Sequence, residues 1–432
     1  MTEALLVLSK FIYLLSATLT IGQLLSLAFF IKNSNGLIKQ ENSDVVRKTS
    51  YSAWIWFGSS LVFLIATLAS VLEVSFTQAL DLTTLRSFVT QISLGRFLAI
   101  QTLGAAAVAI WIRATQKVNY VVLNLIVALA ALAAPIFQSH SASGGSHLVA
   151  IGTLIVHVLA LTLWVGGLLA IVTNRRIDKS VALHRFSHLA LWAAIAVIIS
   201  GAVNAYIRMN FSGAWQGGYA KLLIEKIILT LIILGVAARV RKTLNGEVNK
   251  LITTEVSLLT LTLFVGTLLS QSNPPTRPGA VDPIEALVGL KYPGTPTLKT
   301  WIFEYQPDAL TLAILVIAAL LYFKGIRILH ARGDKWPVGR TLSFVVGLLI
   351  VNFAINGSIG VYSHFGFSYH MIEHMILGMI APIALVLSAP ITLALRTLPS
   401  GRDSEEEGPR NILISFLHSR YAKLIKIGRA HV

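Results

Sequence analysis

The sequence predicts an all-α protein, a polytopic bundle of transmembrane helices. Hydrophobic residues make up 55% of the 432-residue chain and charged residues only 12%, whereas soluble domains carry about 25% charged residues. Apolar stretches of about 20 residues, the length that crosses a bilayer, recur along most of the chain. Lysine and arginine are concentrated in short polar segments between them, which is typical of a membrane protein with a fixed orientation.

Eleven apolar stretches have the length and composition of membrane spans. Their cores lie near residues 5–31, 51–72, 92–112, 119–137, 148–173, 188–207, 221–238, 254–271, 308–323, 341–361 and 369–395. The longest polar connection contains six prolines and separates eight spans from three, which favours two membrane domains. We therefore expect a membrane domain at 1–271, a proline-rich extracytoplasmic linker at 272–305 and a second, incomplete membrane domain at 306–427. Residues 428–432 form a tail that the pattern does not explain.

Basic residues alternate between the two sides of the predicted bundle. Lysines and arginines follow the first, third, fifth, seventh and ninth spans, whereas the loop 138–146 has none. Because cytoplasmic loops are enriched in these residues, the pattern predicts an N-terminus outside the cytoplasm. The net charge of +16 belongs mainly to these loops, so it indicates a lipid bilayer as the partner surface and no nucleic acid. A basic amphipathic stretch at 411–427 is expected to lie on the anionic cytoplasmic leaflet.

The eleventh predicted span carries a concentration of metal-binding side chains. His370 and His374 lie one turn apart on one stripe of an α-helix, and Met371, Met375 and Met379 form the adjoining stripe. Imidazole and thioether donors together suit copper, above all Cu(I). The predicted topology puts His370 near the outer surface and Met379 about 15 Å deeper in the membrane. The alternative is a helix–helix contact in which methionine fills gaps.

Three neighbouring residues extend the copper hypothesis. Glu373 is a candidate acceptor that orients an imidazole from outside the ligand set, or alternatively an acid that reaches the membrane surface. His364, just outside the span, is a candidate further ligand. Pro382 removes a helix hydrogen bond and crowds the carbonyl group of Gly378, so a kink is expected below the methionines.

Three more histidines lie on or near the predicted outer side. His140 and His147 flank the loop SASGGS and are candidates for copper capture. His157 lies within the fifth span, where it is either hydrogen-bonded to a facing helix or a ligand of copper or haem. The segment WVGGL follows it, and its glycines at 166 and 167 let a neighbouring helix approach closely.

Several motifs are absent from the sequence, and their absence restricts the classes of function that it supports. Cysteine is absent, which excludes thiolate metal sites and disulfides. P-loop, dinucleotide-binding, HExxH and serine-elbow motifs are also missing, so we expect transport or assembly and no catalysis. Two other hypotheses remain open. One is a haem b redox protein with axial ligands such as His157 and His374. The other is a proton-coupled transporter centred on Glu225 and Lys226.

Residues 138–275 resemble the copper-resistance protein CopD family. The resemblance is carried by the histidines before the WVGGL segment and by GYAKLLIEKIILTLIILGVAARVRK at 218–242. The closing segment TTEVSLLTLTLFVGTLLSQSNPP at 253–275 also contributes.

Residues 301–425 resemble the CtaG family of caa3-type cytochrome c oxidase assembly factors. The segments that match are WIFEYQPD, RGDKWPVGR, the stretch around HMIEHM at 370–375, and GPRNILISFLHSR. A CopD-like part followed by a CtaG-like part is similar to fusions seen in actinobacteria. The CtaG family continues past the HSR segment into spans with further histidines that this chain lacks, which is why the second domain is expected to be incomplete.

The two resemblances imply a multi-pass protein of the bacterial cytoplasmic membrane that handles copper. The first part is expected to take up or move copper ions. The second is expected to support copper-site assembly in a terminal oxidase. The implied partners are therefore copper ions, with a terminal oxidase subunit or an extracytoplasmic copper chaperone.

Overall fold

The computed structural model describes residues 2–138, 147–174, 179–211, 213–242, 248–275, 282–401 and 406–419. These residues form eighteen α-helices and no β-strand, so the predicted all-α fold is confirmed. His140 and the tail 428–432 lie outside the described residues. Of the predicted amphipathic stretch 411–427, the structure describes the part up to residue 419, which includes most of the helix Pro409–Leu417.

The chain divides into two compact units, Met1–His140 with Leu154–Arg277 and Ser141–Thr153 with Pro278–Val432. The helices before Pro278 are α1 (Thr2–Leu25), α2 (Ser43–Val71), α3 (Leu82–Gln91), α4 (Ser93–Ala114), α5 (Val118–Ala133), α6 (His147–Thr173), α7 (Lys179–Met209), α8 (Gly218–Lys242) and α9 (Val248–Gln271). The helices after it are α10 (Pro283–Val288), α11 (Leu298–Phe303), α12 (Ala309–Ala331), α13 (Val338–Asn356), α14 (Ser358–Ser363), α15 (Phe367–Met375), α16 (Ala381–Leu387), α17 (Pro390–Thr397) and α18 (Pro409–Leu417). The division falls inside the proline-rich segment 272–305.

Ten helical segments of the described chain are long and apolar enough to cross a membrane, which confirms a polytopic bundle. They are Glu3–Phe30, Gln40–Val71, Ser93–Ala114, Val118–Gln138, Leu148–Thr173, Val181–Met209, Ile252–Gln271, Ala309–Ala331, Val338–Asn356 and Phe367–Thr397. The remaining predicted span, 221–238, is helical as part of α8. It is less apolar than the others because Lys221, Glu225 and Lys226 lie in its first half. The side of the membrane on which each loop lies stays a prediction.

Glycines let helices of the first unit come close together. A methyl group on Gly22 of α1 would collide with the backbone of Gly166 on α6. A methyl group on Gly167 would collide with the ring of Phe186 on α7. These contacts therefore need glycine, as the sequence predicts for the WVGGL segment. Trp164 of the same segment is buried.

Polar contacts from α1 and α2 hold the C-terminal end of α6. Asn174 Nδ2 donates to Gln23 Oε1 at 2.6 Å, and Gln23 Nε2 donates to Thr173 Oγ1 at 2.9 Å. Lys48 Nζ donates to the carbonyl oxygen of Thr173 at 2.9 Å, which places a cation at the negative end of the helix dipole. These bonds fix the position of the helix that carries His157.

The last predicted span is a broken helix. A π-helical turn at Ile376–Ile380 separates α15 from α16, and the amide of Ala381 donates to the carbonyl oxygen of Ile376. Pro382 has no amide hydrogen to donate, so the distortion expected there takes the form of this turn. A second break lies at Ala389, whose φ of 49° is in the left-handed region, and α17 begins at the next residue.

Tyr322 of α12 holds the second break in place. Its hydroxyl group donates to the carbonyl oxygen of Ser388 at 2.9 Å and accepts from Trp336 Nε1 at 3.2 Å. The tyrosine ring stacks on Phe344 of α13, with ring centroids 3.8 Å apart. The RGDKWPVGR segment is thereby tied to the core of the second unit.

Candidate metal sites

The structure brings His370 and His374 together on α15. Their Nε2 atoms are 3.1 Å apart, and the two rings are nearly perpendicular at 89°. At this distance one Nε2 carries a proton and donates it to the lone pair of the other. A metal ion bound to both nitrogens would replace that shared proton. Both side chains are exposed, so the pair is accessible from outside the second unit.

The three methionines continue along the same broken helix. Met371, Met375 and Met379 are 45%, 52% and 56% exposed, so their thioethers are not used to fill the core of the second unit. The π-helical turn Ile376–Ile380 begins directly after Met375 and includes Met379. The methionines therefore offer soft donors on exposed positions of the same broken helix.

His364 and Glu373 do not join the imidazole pair. His364 bonds locally through Nδ1 to the carbonyl oxygen of Gly360 at 2.8 Å. Glu373 is half-buried and makes no hydrogen bond to either imidazole. Within the described ranges, no three histidine, aspartate or glutamate side chains lie close enough to hold a metal ion together. The pair thus presents two nitrogen donors, and any further protein ligands there would come from thioethers or from a partner.

His157 lies in a separate, buried polar cluster of the first unit. Its Nδ1 is 3.1 Å from the carbonyl oxygen of Val197 and 3.1 Å from Ser200 Oγ, both on α7. Its Nε2 is 3.4 Å from Nζ of Lys226 on α8. Of the alternatives that the sequence leaves open for His157, the hydrogen bond to a facing helix is therefore present. His147 begins α6, and its side chain lies outside the described residues.

The sequence does not predict the contact that Lys226 makes with His157. The sequence pairs it with Glu225 as a possible proton pathway, yet Glu225 is exposed and makes no ion pair with Lys226 in the described structure. The partner of Lys226 is instead His157, 69 positions away. The available signal is a histidine and a lysine that each lie within a predicted span, where ionisable groups are costly and commonly meet one another.

Three family models match the chain in N-to-C order. The N-terminal domain of copper resistance protein D-like proteins matches residues 1–148, and copper resistance protein D matches residues 180–269. The cytochrome c oxidase caa3 assembly factor family, CtaG, matches residues 320–427. The chain is a fusion of CopD-like and CtaG-like segments. These families connect it to copper handling and to cytochrome c oxidase assembly in general.

The matched segments contain most of the candidate residues. The imidazole pair and all three methionines lie in the CtaG-like segment 320–427, and Lys226 lies in the CopD-like segment 180–269. His157 falls between the two CopD-related matches, which end at residue 148 and begin again at residue 180.

Curated relatives come from mycobacteria. The chain is 38% identical over 136 residues to uncharacterized proteins of Mycobacterium bovis and Mycobacterium tuberculosis, and 33% identical over 135 residues to one of Mycobacterium leprae. The alignments cover 32%, 32% and 31% of this chain, and 21%, 21% and 20% of the relatives. The matched part therefore spans about a fifth of the length of these relatives. No solved structure matches the chain significantly.

Proposed function

We propose that this protein moves copper ions in a bacterial cytoplasmic membrane and supports assembly of the copper site of a terminal cytochrome c oxidase. The CopD-like part takes up and passes the ion, and the CtaG-like part holds it for an oxidase subunit or an extracytoplasmic copper chaperone. The observation that carries the proposal is the contact of 3.1 Å between Nε2 of His370 and Nε2 of His374. The matches to copper-resistance and oxidase-assembly families support it.

The chemistry of the donors favours Cu(I) as the bound ion. Thioethers are soft ligands that select Cu(I), and imidazole binds copper well in either oxidation state. Two imidazoles with adjoining thioethers form an open and exchangeable ligand set. The unused coordination positions suit transfer, because a receiving protein can supply its own ligands before the ion leaves. The role consists of binding and handing over the ion, without catalysis.

The proposed path through the CopD-like part uses three histidines. His140 and His147 capture copper on the extracytoplasmic side, and His157 receives it within the membrane. Burial of the His157 ring inside the first unit supports a position on an internal path.

Copper binding by the purified, detergent-solubilised protein tests the proposal. Cu(I) affinity and stoichiometry are measured by competition with a chromophoric chelator. Replacing both members of the pair, His370→Ala with His374→Ala, is expected to remove one bound copper ion per chain. His330→Ala with His418→Ala removes two exposed histidines from the same unit and is expected to leave copper binding unchanged.

The same preparation separates this function from its rivals. Unchanged copper stoichiometry in the doubly substituted protein would exclude His370 and His374 from the proposal. A stoichiometric Soret band in the absorption spectrum would instead favour the haem b hypothesis.

A further inference from the structure

Four helices of the first unit meet at the buried cluster around His157. The ring of His157 on α6 contacts Ser200 on α7 and Lys226 on α8. Two glycines border the two long side chains. A methyl group on Gly201 of α7 would lie 3.2 Å from Cε1 of His157, and one on Gly266 of α9 would lie 3.6 Å from Nζ of Lys226. The histidine and the lysine therefore share the space between α6, α7, α8 and α9.

The hydrogen bonds of His157 assign its two ring nitrogens. A carbonyl oxygen can only accept, so Nδ1 donates its proton to Val197, 3.1 Å away. An ammonium group has only donors, so Nε2 accepts from Lys226 through its lone pair at 3.4 Å. The imidazole is thus neutral, and Nε2 is the ring atom that remains available to a metal ion.

A metal ion and the ammonium group exclude each other at Nε2. Bonds between metal ions and imidazole nitrogen are about 2 Å long. An ion bound along the lone pair would therefore lie within roughly 1.5 Å of the position that Nζ now occupies. A copper ion and the lysine nitrogen cannot occupy this space together.

The positive charges around Lys226 also oppose the binding of a copper ion at Nε2 of His157. Arg208 on α7 lies close enough to Lys226 for the two positive charges to interact. No carboxylate pairs with Lys226 among the described residues. Arg208 itself donates to the hydroxyl group of Tyr219 at 3.2 Å, which leaves its charge in place. An arriving copper ion thus meets a position that is both occupied and positively charged.

We propose that Lys226 blocks a copper-binding position at Nε2 of His157, so that copper binds there only after the lysine side chain has moved away. This inference rests on the proposed function and adds a means of controlling the path through the CopD-like part. The four-carbon stem of lysine is flexible. Gly266 of α9, which has no side chain, lies beside the ammonium group.

The test isolates His157 from the second copper position. In a background with His370→Ala and His374→Ala, Lys226→Leu removes the charge and adds no metal-binding donor. Cu(I) affinity is expected to rise by at least about tenfold, because the ion no longer displaces an ammonium group. Lys226→Arg keeps the positive charge and is expected to give no gain. Lys221→Leu, at an exposed lysine on the same helix, is the matched control.

A further substitution and a spectrum identify the ligand. His157→Ala, added to Lys226→Leu, is expected to abolish the gain, and X-ray absorption of the Cu(I) form is expected to lose the imidazole scattering that appears with Lys226→Leu. Lys226→Gln serves as a second neutral variant if Lys226→Leu does not fold.

The outcomes separate this inference from the proposed function. Unchanged copper affinity in a folded neutral variant overturns the proposal that Lys226 blocks His157. Copper bound at His370 and His374 in the otherwise unaltered chain would still support the proposed function. An unaltered chain that binds no copper overturns both the proposed function and the proposal that Lys226 blocks His157.

Discussion

The imidazoles of His370 and His374 face each other across one turn of α15, with their Nε2 atoms 3.1 Å apart. A metal ion bound to both nitrogens is chelated by a rigid helical turn, and loss of either ring leaves one nitrogen donor. We therefore expect His370→Ala and His374→Ala each to weaken Cu(I) binding by at least about tenfold. The double variant is expected to be little weaker than either single variant, because the two rings act as a unit.

Competition titrations of the two single variants and the double variant measure this coupling. Additive losses from the two single variants would mean that the histidines bind independently, and the shared site would have to be abandoned.

The exposed methionines predict a metal-selective effect. Replacing Met371, Met375 and Met379 together by leucine conserves side-chain volume and removes the thioethers. Affinity for Cu(I) is expected to fall by about tenfold or more, while affinity for Zn(II), which prefers imidazole to thioether, changes little. Parallel titrations with both ions measure the difference. Met209→Leu, at a buried position of the first unit, is the control. Equal losses for the two ions would show that the methionines contribute only to packing.

Local features of this protein could be predicted from the sequence because they depend on one helix at a time. The apolar stretches define the spans, since their length and low charge leave few other folds. The meeting of His370 and His374 follows from their spacing of four residues, which places both on one helical stripe. The close approach at Gly166 follows from a glycine pair in an apolar stretch.

Features that depend on how helices pack were not predictable in this way. The contact between His157 and Lys226 joins positions 69 residues apart, and nothing in either span indicates which neighbour it faces. Glu225 is adjacent to Lys226 in sequence, but adjacent residues of a helix point in directions about 100° apart. The span 221–238 was predicted correctly as a helix, while its charged first half sets it apart from the ten more apolar helical segments of the described chain.

The contact between Gly22 and Gly166 predicts a specific loss of stability. Gly22→Ala places a methyl group against the backbone of α6, so α1 and α6 must separate. We expect a cost of about 1–3 kcal/mol, as for other overpacked interiors. Thermal unfolding in detergent measures it. Gly58→Ala in α2 is the matched control, since a methyl group there meets nothing within 4 Å. Equal melting temperatures for the two variants would show that the two helices do not touch at this point.

The hydroxyl group of Tyr322 predicts that the second break of the last span is fragile. Tyr322→Phe keeps the stacking on Phe344 but leaves Trp336 Nε1 and the carbonyl oxygen of Ser388 without their partner. Buried polar groups left unpaired cost about 1–3 kcal/mol each, so the thermal stability of the second unit is expected to fall.

Thermal unfolding followed by tryptophan fluorescence measures this change, because the indole of Trp336 belongs to the affected network. Tyr305→Phe removes an exposed hydroxyl group that bonds to Asn352 and is expected to change stability by much less. Because Tyr322→Phe preserves ring volume and stacking, any loss of thermal stability beyond that of Tyr305→Phe comes from the two hydrogen bonds. Unfolding of Tyr322→Phe at the same temperature as Tyr305→Phe would mean that Ala389 holds its left-handed conformation without help from α12.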